Sequence, residues 1–269
     1  MAARFWVGGT GTWDASDTTH WASSSGGAGG QSVPGSSDDV TLDGSSGGGT
    51  VTVSHATNTI LSLTMGAFTG TLDFATNDNN ISMGTFSGTG TGVRTLNMGD
   101  GTWTLTATTG TVWNNATVTN FTLNADGSTI NIAATGTASR TFAGGSKTYN
   151  NLSITNPASN VFFVRISGSN TFANLTVNAN VRHLQLAGSP TNNTITGAFT
   201  FGGTAAAPCL LETDTPASTL TVSGANTLTG AFIQGITKAG AGSITARESF
   251  DGGGNTSVTI IPPARVIGG

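Results

Sequence analysis

Two octapeptides, Lys147-Thr-Tyr-Asn-Asn-Leu-Ser-Ile154 and Asn170-Thr-Phe-Ala-Asn-Leu-Thr-Val177, match along their length at a spacing of 23 residues. Tyr149 aligns with Phe172, Asn151 with Asn174, Leu152 with Leu175 and Ile154 with Val177. A period this short cannot hold a helix pair and suits one coil of a β-solenoid. Leu152 and Ile154 lie two apart, as do Leu175 and Val177, so extended backbone sends each pair to one face and Ser153 or Thr176 to the other. Asn151 and Asn174 are then expected to stack as a side-chain ladder. In a β-sandwich or jelly roll, the main alternative for alternating strands with turn signals, they would not be neighbours.

The rest of the chain repeats the pattern less regularly. Thr50–Val53, Ile60–Leu63, Thr71–Phe74, Ile81–Met83, Thr95–Met98 and Thr102–Leu105 alternate apolar with polar residues, the period of a half-buried strand. Phe121–Leu123, Thr129–Ile132, Val161–Ile166, His183–Leu186, Thr219–Val222, Ser243–Ala246 and Ser257–Ile260 continue the series. Met65–Thr71 recurs as Met83–Thr89 at an offset of 18, and Asn193–Phe199 as Asn226–Phe232 at an offset of 33. Unequal offsets fit a single-stranded parallel β-helix, in which stacking holds the strands while the turns vary in length. At about 23 residues per coil, residues 45–262 would make roughly nine or ten coils. The expected organisation is a cap over 1–44, the β-helix over 45–262 as one body, and a C-terminal arm over 263–269 following Pro262 and Pro263, which stop ladder pairing.

Composition agrees with short strands and tight turns. Only 8% of the 269 residues are charged, 40 are glycine, and 36% are hydrophobic and recur along the chain. A formal net charge of -4 without a basic run leaves no electrostatic footprint for nucleic acid. No apolar run approaches a signal segment or a membrane span, so no membrane partner is expected. Cys209, the single cysteine, sits in an apolar run and reads as a buried structural thiol.

The first forty residues stand apart. Trp6, Trp13 and Trp21 fall within Phe5-Trp-Val-Gly-Gly-Thr-Gly-Thr-Trp13 and His20-Trp21, before a glycine-rich loop, Val33-Pro34 and Asp38-Asp-Val-Thr-Leu-Asp43. The exposed end of a solenoid needs a lid, and large rings bury the most surface per residue. The three tryptophans are also candidate contacts for a glycan or a partner, because indole faces stack on sugars. This opening resembles that of β-helical virion structural proteins of tailed bacteriophages. The stretch from Ile233–Thr237 through Ala246-Arg-Glu-Ser-Phe-Asp-Gly-Gly-Gly-Asn-Thr256 is similar to their last coils, although Ser257-Val258 stands where a tryptophan is expected. The resemblance implies a capsid decoration or fibre-like protein on the virion surface, made in the host cytoplasm, commonly a homotrimer, with the major capsid protein as neighbour and a host glycan as a further candidate partner.

Polysaccharide-degrading enzymes share the β-helix, so catalytic groups matter. Glu212 and Asp214, two apart on one strand face, are the best carboxylate pair; no basic residue accompanies them in sequence, and they read as a solvated pair. Arg94, Arg140, Lys147, Arg165 and Arg182 are scattered. His20, His55 and His183 lack metal-ligand spacing, Asp38, Asp39 and Asp43 read as turn residues, as do Asp251–Asn255, and no cofactor motif appears. Sequon matches such as Asn115-Ala-Thr are chance products of an Asn- and Thr-rich chain. The sequence therefore points to a non-enzymatic protein without metal or cofactor, with a glycan-binding adhesin and a degradative enzyme as the alternatives.

Overall fold

A computed structural model describes residues 2–134, 138–155, 163–178, 181–187, 191–214 and 218–264. Among these, every regular element is a β-strand, and almost every strand pairs in parallel with one about a coil further along. The protein is an all-β parallel β-solenoid. It separates into two compact units, the first made of residues 1–107, 111–132 and 148–150, the second of residues 108–110, 133–147 and 151–269. Residues 161–162 of the expected strand Val161–Ile166, and 265–269 of the expected arm, lie outside the described residues.

In the first unit two ladders run side by side. Ala2–Trp6, Asp38–Thr41, Thr57–Thr64, Asn80–Ser87 and Thr102–Leu105 belong to one, and Gly11–Trp13, Thr50–Val53, Thr71–Asp73, Arg94–Asn97 and Phe121–Asn124 to the other. Register places Val40 beside Leu63 and Leu63 beside Phe86, and in the second ladder Val51 beside Leu72 and Leu72 beside Leu96. Each of these side chains is buried. Apolar residues at alternate positions thus stack on like neighbours one coil away, while the threonines between them stay half-exposed or exposed.

The second unit repeats the device. Val164, Leu184, Leu211 and Ile233 form one buried column, and Phe172, Ile195 and Val222 another. Ala225–Thr229, Ser243–Arg247 and Thr259–Ile261 form a third ladder. Thr171–Val177 pairs with Thr148–Ile154, and the Asn174 amide donates to Asn151 Oδ1 at 2.8 Å, the ladder expected from the aligned octapeptides. Asn174 Oδ1 in turn accepts the Ala198 N–H at 2.9 Å.

Two of the apparent repeats are not coils. Register pairs Met83 with Ile60 and Phe86 with Leu63, so Met65–Thr71 and Met83–Thr89 are not stacked equivalents. The first copy is a turn, whereas the second lies largely within the strand Asn80–Ser87. Asn193 pairs with Leu220 and Asn226 with Ile244, and Phe199 points inward whereas Phe232 points outward. Seven-residue strings rich in Gly, Thr and Ala recur because they suit bends, and stacking of apolar columns decides the register instead.

Candidate functional site

The N-terminal tryptophans come first, because sequence made them the candidate contacts. Ala2–Trp6 lies parallel to Asp38–Thr41 and antiparallel to Trp21–Ala22, which brings Trp6 opposite Trp21. Trp6 and Trp21 meet edge to face at 5.2 Å, and Trp13 and Trp21 at 5.1 Å. His20 stacks on Trp6 at 4.6 Å, its Nδ1 2.8 Å from the Val7 carbonyl oxygen. Trp6, Trp13 and Trp21 have no exposed surface. As stacking platforms for a sugar they are therefore corrected: the rings are spent on one another, and no indole face is offered outward.

The aromatic chain goes further than the cap. Trp13 touches Phe74, Phe74 touches Trp103 at 4.6 Å, and Trp103 and Phe86 both reach Trp113. Trp113 ends at Tyr149, whose hydroxyl lies 3.1 Å from the indole N–H and 3.2 Å from the Asn115 amide. Burial pushes the Tyr149 hydroxyl well above the usual phenol range.

Two of the scattered arginines are also interior. Arg94 is 1% exposed and donates to the carbonyls of Gly88, Gly90, Gly92 and Thr119, with its guanidinium 5.1 Å from the centre of the Phe121 ring. Arg140 is fully buried and donates to the Ala134 carbonyl. Burial lowers the pKa of both. Neither is placed to act on a ligand outside.

The residues that do converge at the surface lie on one sheet of the second unit. Leu184, Leu211 and Ile233 point inward, so their strand neighbours must point outward. Register then builds two outward columns. His183, Leu210, Phe232 and Phe250 follow one another, with Phe163 5.3 Å from the His183 ring. Beside them run Arg165, Gln185, Glu212 and Gln234.

Glu212 Oε1 lies 2.8 Å from His183 Nε2 and accepts the Gln185 amide N–H at 2.8 Å. Asp214 is paired with Arg165. The pair that looked solvated and partnerless is therefore partnered by residues 29 and 49 positions earlier in the chain. Below Asp214 an open cleft of about 450 Å³ is lined by Thr213, Asp214, Gln234, Gly235 and Gly252–Gly254.

Comparison of the chain with family models, curated proteins and solved structures returned no match.

The remaining candidates are turn elements. Asp38 accepts the N–H groups of Ala2 and Gly35, Asp43 that of Ser45, and Asp251 that of Gly253 together with the Asn255 amide. Among the described residues no group of His, Cys, Asp or Glu is arranged to hold a metal. Cys209 is buried, and burial pushes its thiol above the usual range. His55 bonds to Asn58 at 3.1 Å, far in sequence from the outward columns.

Proposed function

We propose that the chain is a non-enzymatic structural protein of a tailed-phage virion, displayed on the particle surface as a capsid decoration protein. Its partners would be its own copies, as a homotrimer, and the major capsid protein. One observation supports this reading. The residues that carry the resemblance, Trp6, Trp13, His20, Trp21 and Asp38–Asp43, act together as one buried cap and its first parallel strand, so the shared motif has a common structural task rather than being a chance of composition. The outward carboxylates fit the same reading. Glu212 already accepts from two side chains and Asp214 is paired with a guanidinium, an arrangement suited to holding a surface in shape.

Immunogold labelling of particles with antibody against this chain tests the proposal. Label over the head is the expected result. Label confined to the tail, or absent from every particle, overturns the decoration reading. A tail-fibre or adhesin role is the second reading, favoured by the aromatic and polar columns of the second unit.

A further inference from the structure

We propose that the outward face of the second unit, centred on Glu212, Asp214, Gln234 and Phe250, binds an uncharged polysaccharide. The inference does not depend on the virion reading, since it rests on the chemistry of the face alone.

The first argument is periodicity. Adjacent strands of a parallel ladder are about 4.8 Å apart, so each coil repeats a similar pair of outward groups at a fixed step. One column is mostly aromatic and the other polar throughout: Phe163, His183, Leu210, Phe232 and Phe250 beside Arg165, Gln185, Glu212 and Gln234. A ligand that uses such a surface must itself repeat and lie extended along it.

The second argument is charge. Arg165 is matched by Asp214 and His183 by Glu212, so the face carries no unpaired cation for a polyanion and no unmatched acid cluster for a metal ion. What remains open is hydrogen-bonding capacity without net charge. The Gln234 amide is exposed and makes no hydrogen bond among the described residues, and the second oxygens of Glu212 and Asp214 are free to accept. Hydroxyl groups, which both donate and accept, satisfy all three.

The third argument is shape. Phe250 is 39% exposed, one of few large apolar side chains left outward. The cleft beside it has a glycine floor. A Cβ on Gly252 would overlap the Phe232 ring and lie 2.9 Å from Gln234 Cβ, so glycine is what lets the ring lie flat against the coil below and keeps the cleft open. Aromatic faces next to planar amides and carboxylates suit a sugar ring, which is apolar on its C–H face and polar at its rim.

The test is binding of the full chain to a panel of immobilised polysaccharides, neutral (dextran, mannan, levan) and acidic (alginate, polygalacturonate, hyaluronate). The expected result is binding to at least one neutral polymer, little changed by added salt. Gln234→Ala and Phe250→Ala should each weaken it by about tenfold, while Val93→Ser, at a residue 70% exposed in the other unit, leaves it intact. Both test residues are exposed, and an unchanged melting temperature of the variants excludes misfolding. No binding to any neutral polymer overturns the proposal. So does binding that salt abolishes, or binding indifferent to both substitutions.

Discussion

The two units stack the same kind of coil around different fillings. The first encloses all five tryptophans, and a continuous path of ring contacts runs from His20 through Trp6, Trp21, Trp13, Phe74, Trp103 and Trp113 to Tyr149. The second is filled by aliphatic columns such as Val164, Leu184, Leu211 and Ile233, with the aromatic pairs Phe142–Phe172 and Phe199–Phe201. It also turns Phe232 and Phe250 outward. Coil length accounts for much of the difference. Successive register partners in the first unit are 22 to 27 residues apart, whereas near the end of the second they fall to 18, as for Phe232 and Phe250, and to 14, as for Thr245 and Thr259. A shorter coil encloses less volume, and an indole no longer fits inside it.

Polar groups follow the same division. The second unit buries asparagines at its corners: Asn170, with no exposed surface, donates to the carbonyls of Ser167 and Gly168 and to Asn193 Oδ1, and accepts from Ser146 N–H. A Cβ on Gly144 would occupy the position of that amide, which is why glycine precedes the turn there. The first unit has its own ladder, Asn124 to Asn97 at 2.8 Å and Asn97 to Asp73 at 3.3 Å, but it is half-exposed and lies outside the rings. Water can replace a bond lost there. It cannot do so at Asn170.

The largest effect expected from breaking this contrast is at Trp103. Trp103→Ala removes a fully buried ring that touches Phe74, Phe86 and Trp113, and should destabilise the first unit by about 3–5 kcal/mol. Urea titration followed by the fluorescence of the remaining tryptophans measures it. Next comes Asn170→Ala in the second unit, which orphans buried donors and acceptors at about 1–3 kcal/mol each. Asn97→Ala should cost less, because its neighbours are half-exposed. Equal losses from the two asparagine variants would show that burial does not separate the ladders.

The smallest effect is alkaline. The Tyr149 hydroxyl has a folded pKa raised above its ordinary 10.0 by burial, so its contribution is complete below pH 10 and is lost as pH rises through the interval up to the folded value. Each pH unit within that interval should lower the stability of the first unit by about 1.4 kcal/mol. Cys209 does the same for the second unit from pH 9.0 upward. Tyr149→Phe should flatten the pH dependence above 10 seen by tryptophan fluorescence, and Cys209→Ala should leave that signal unchanged.

Period-two alternation made the strands legible in the sequence, and the octapeptides at 147 and 170 made one coil legible to the residue, including the Asn151–Asn174 contact. The aromatic cap was legible because its three tryptophans crowd into sixteen residues. Its continuation was not. Trp103 and Trp113 join it only once coil lengths are known, since a turn longer by one residue would send a different side chain inward. The same holds for the outward face: His183 meets Glu212, and Arg165 meets Asp214, through stacking of coils of 20 and 27 residues that no local pattern announces. Arg94 looked like a surface charge because nothing in its neighbourhood shows that the turn from Gly88 to Gly92 folds its carbonyls around it.

Two natural probes divide along the same line as the cores. All five tryptophans lie in the first unit, and the single cysteine, buried Cys209, lies in the second. One urea titration of the unmodified chain, read in parallel by tryptophan fluorescence and by the rate of Cys209 alkylation, therefore compares the two fillings directly. The aromatic unit should be the more persistent, with the thiol becoming reactive at lower urea than the fluorescence transition. Coincident midpoints, or loss of the tryptophan signal first, would contradict the account.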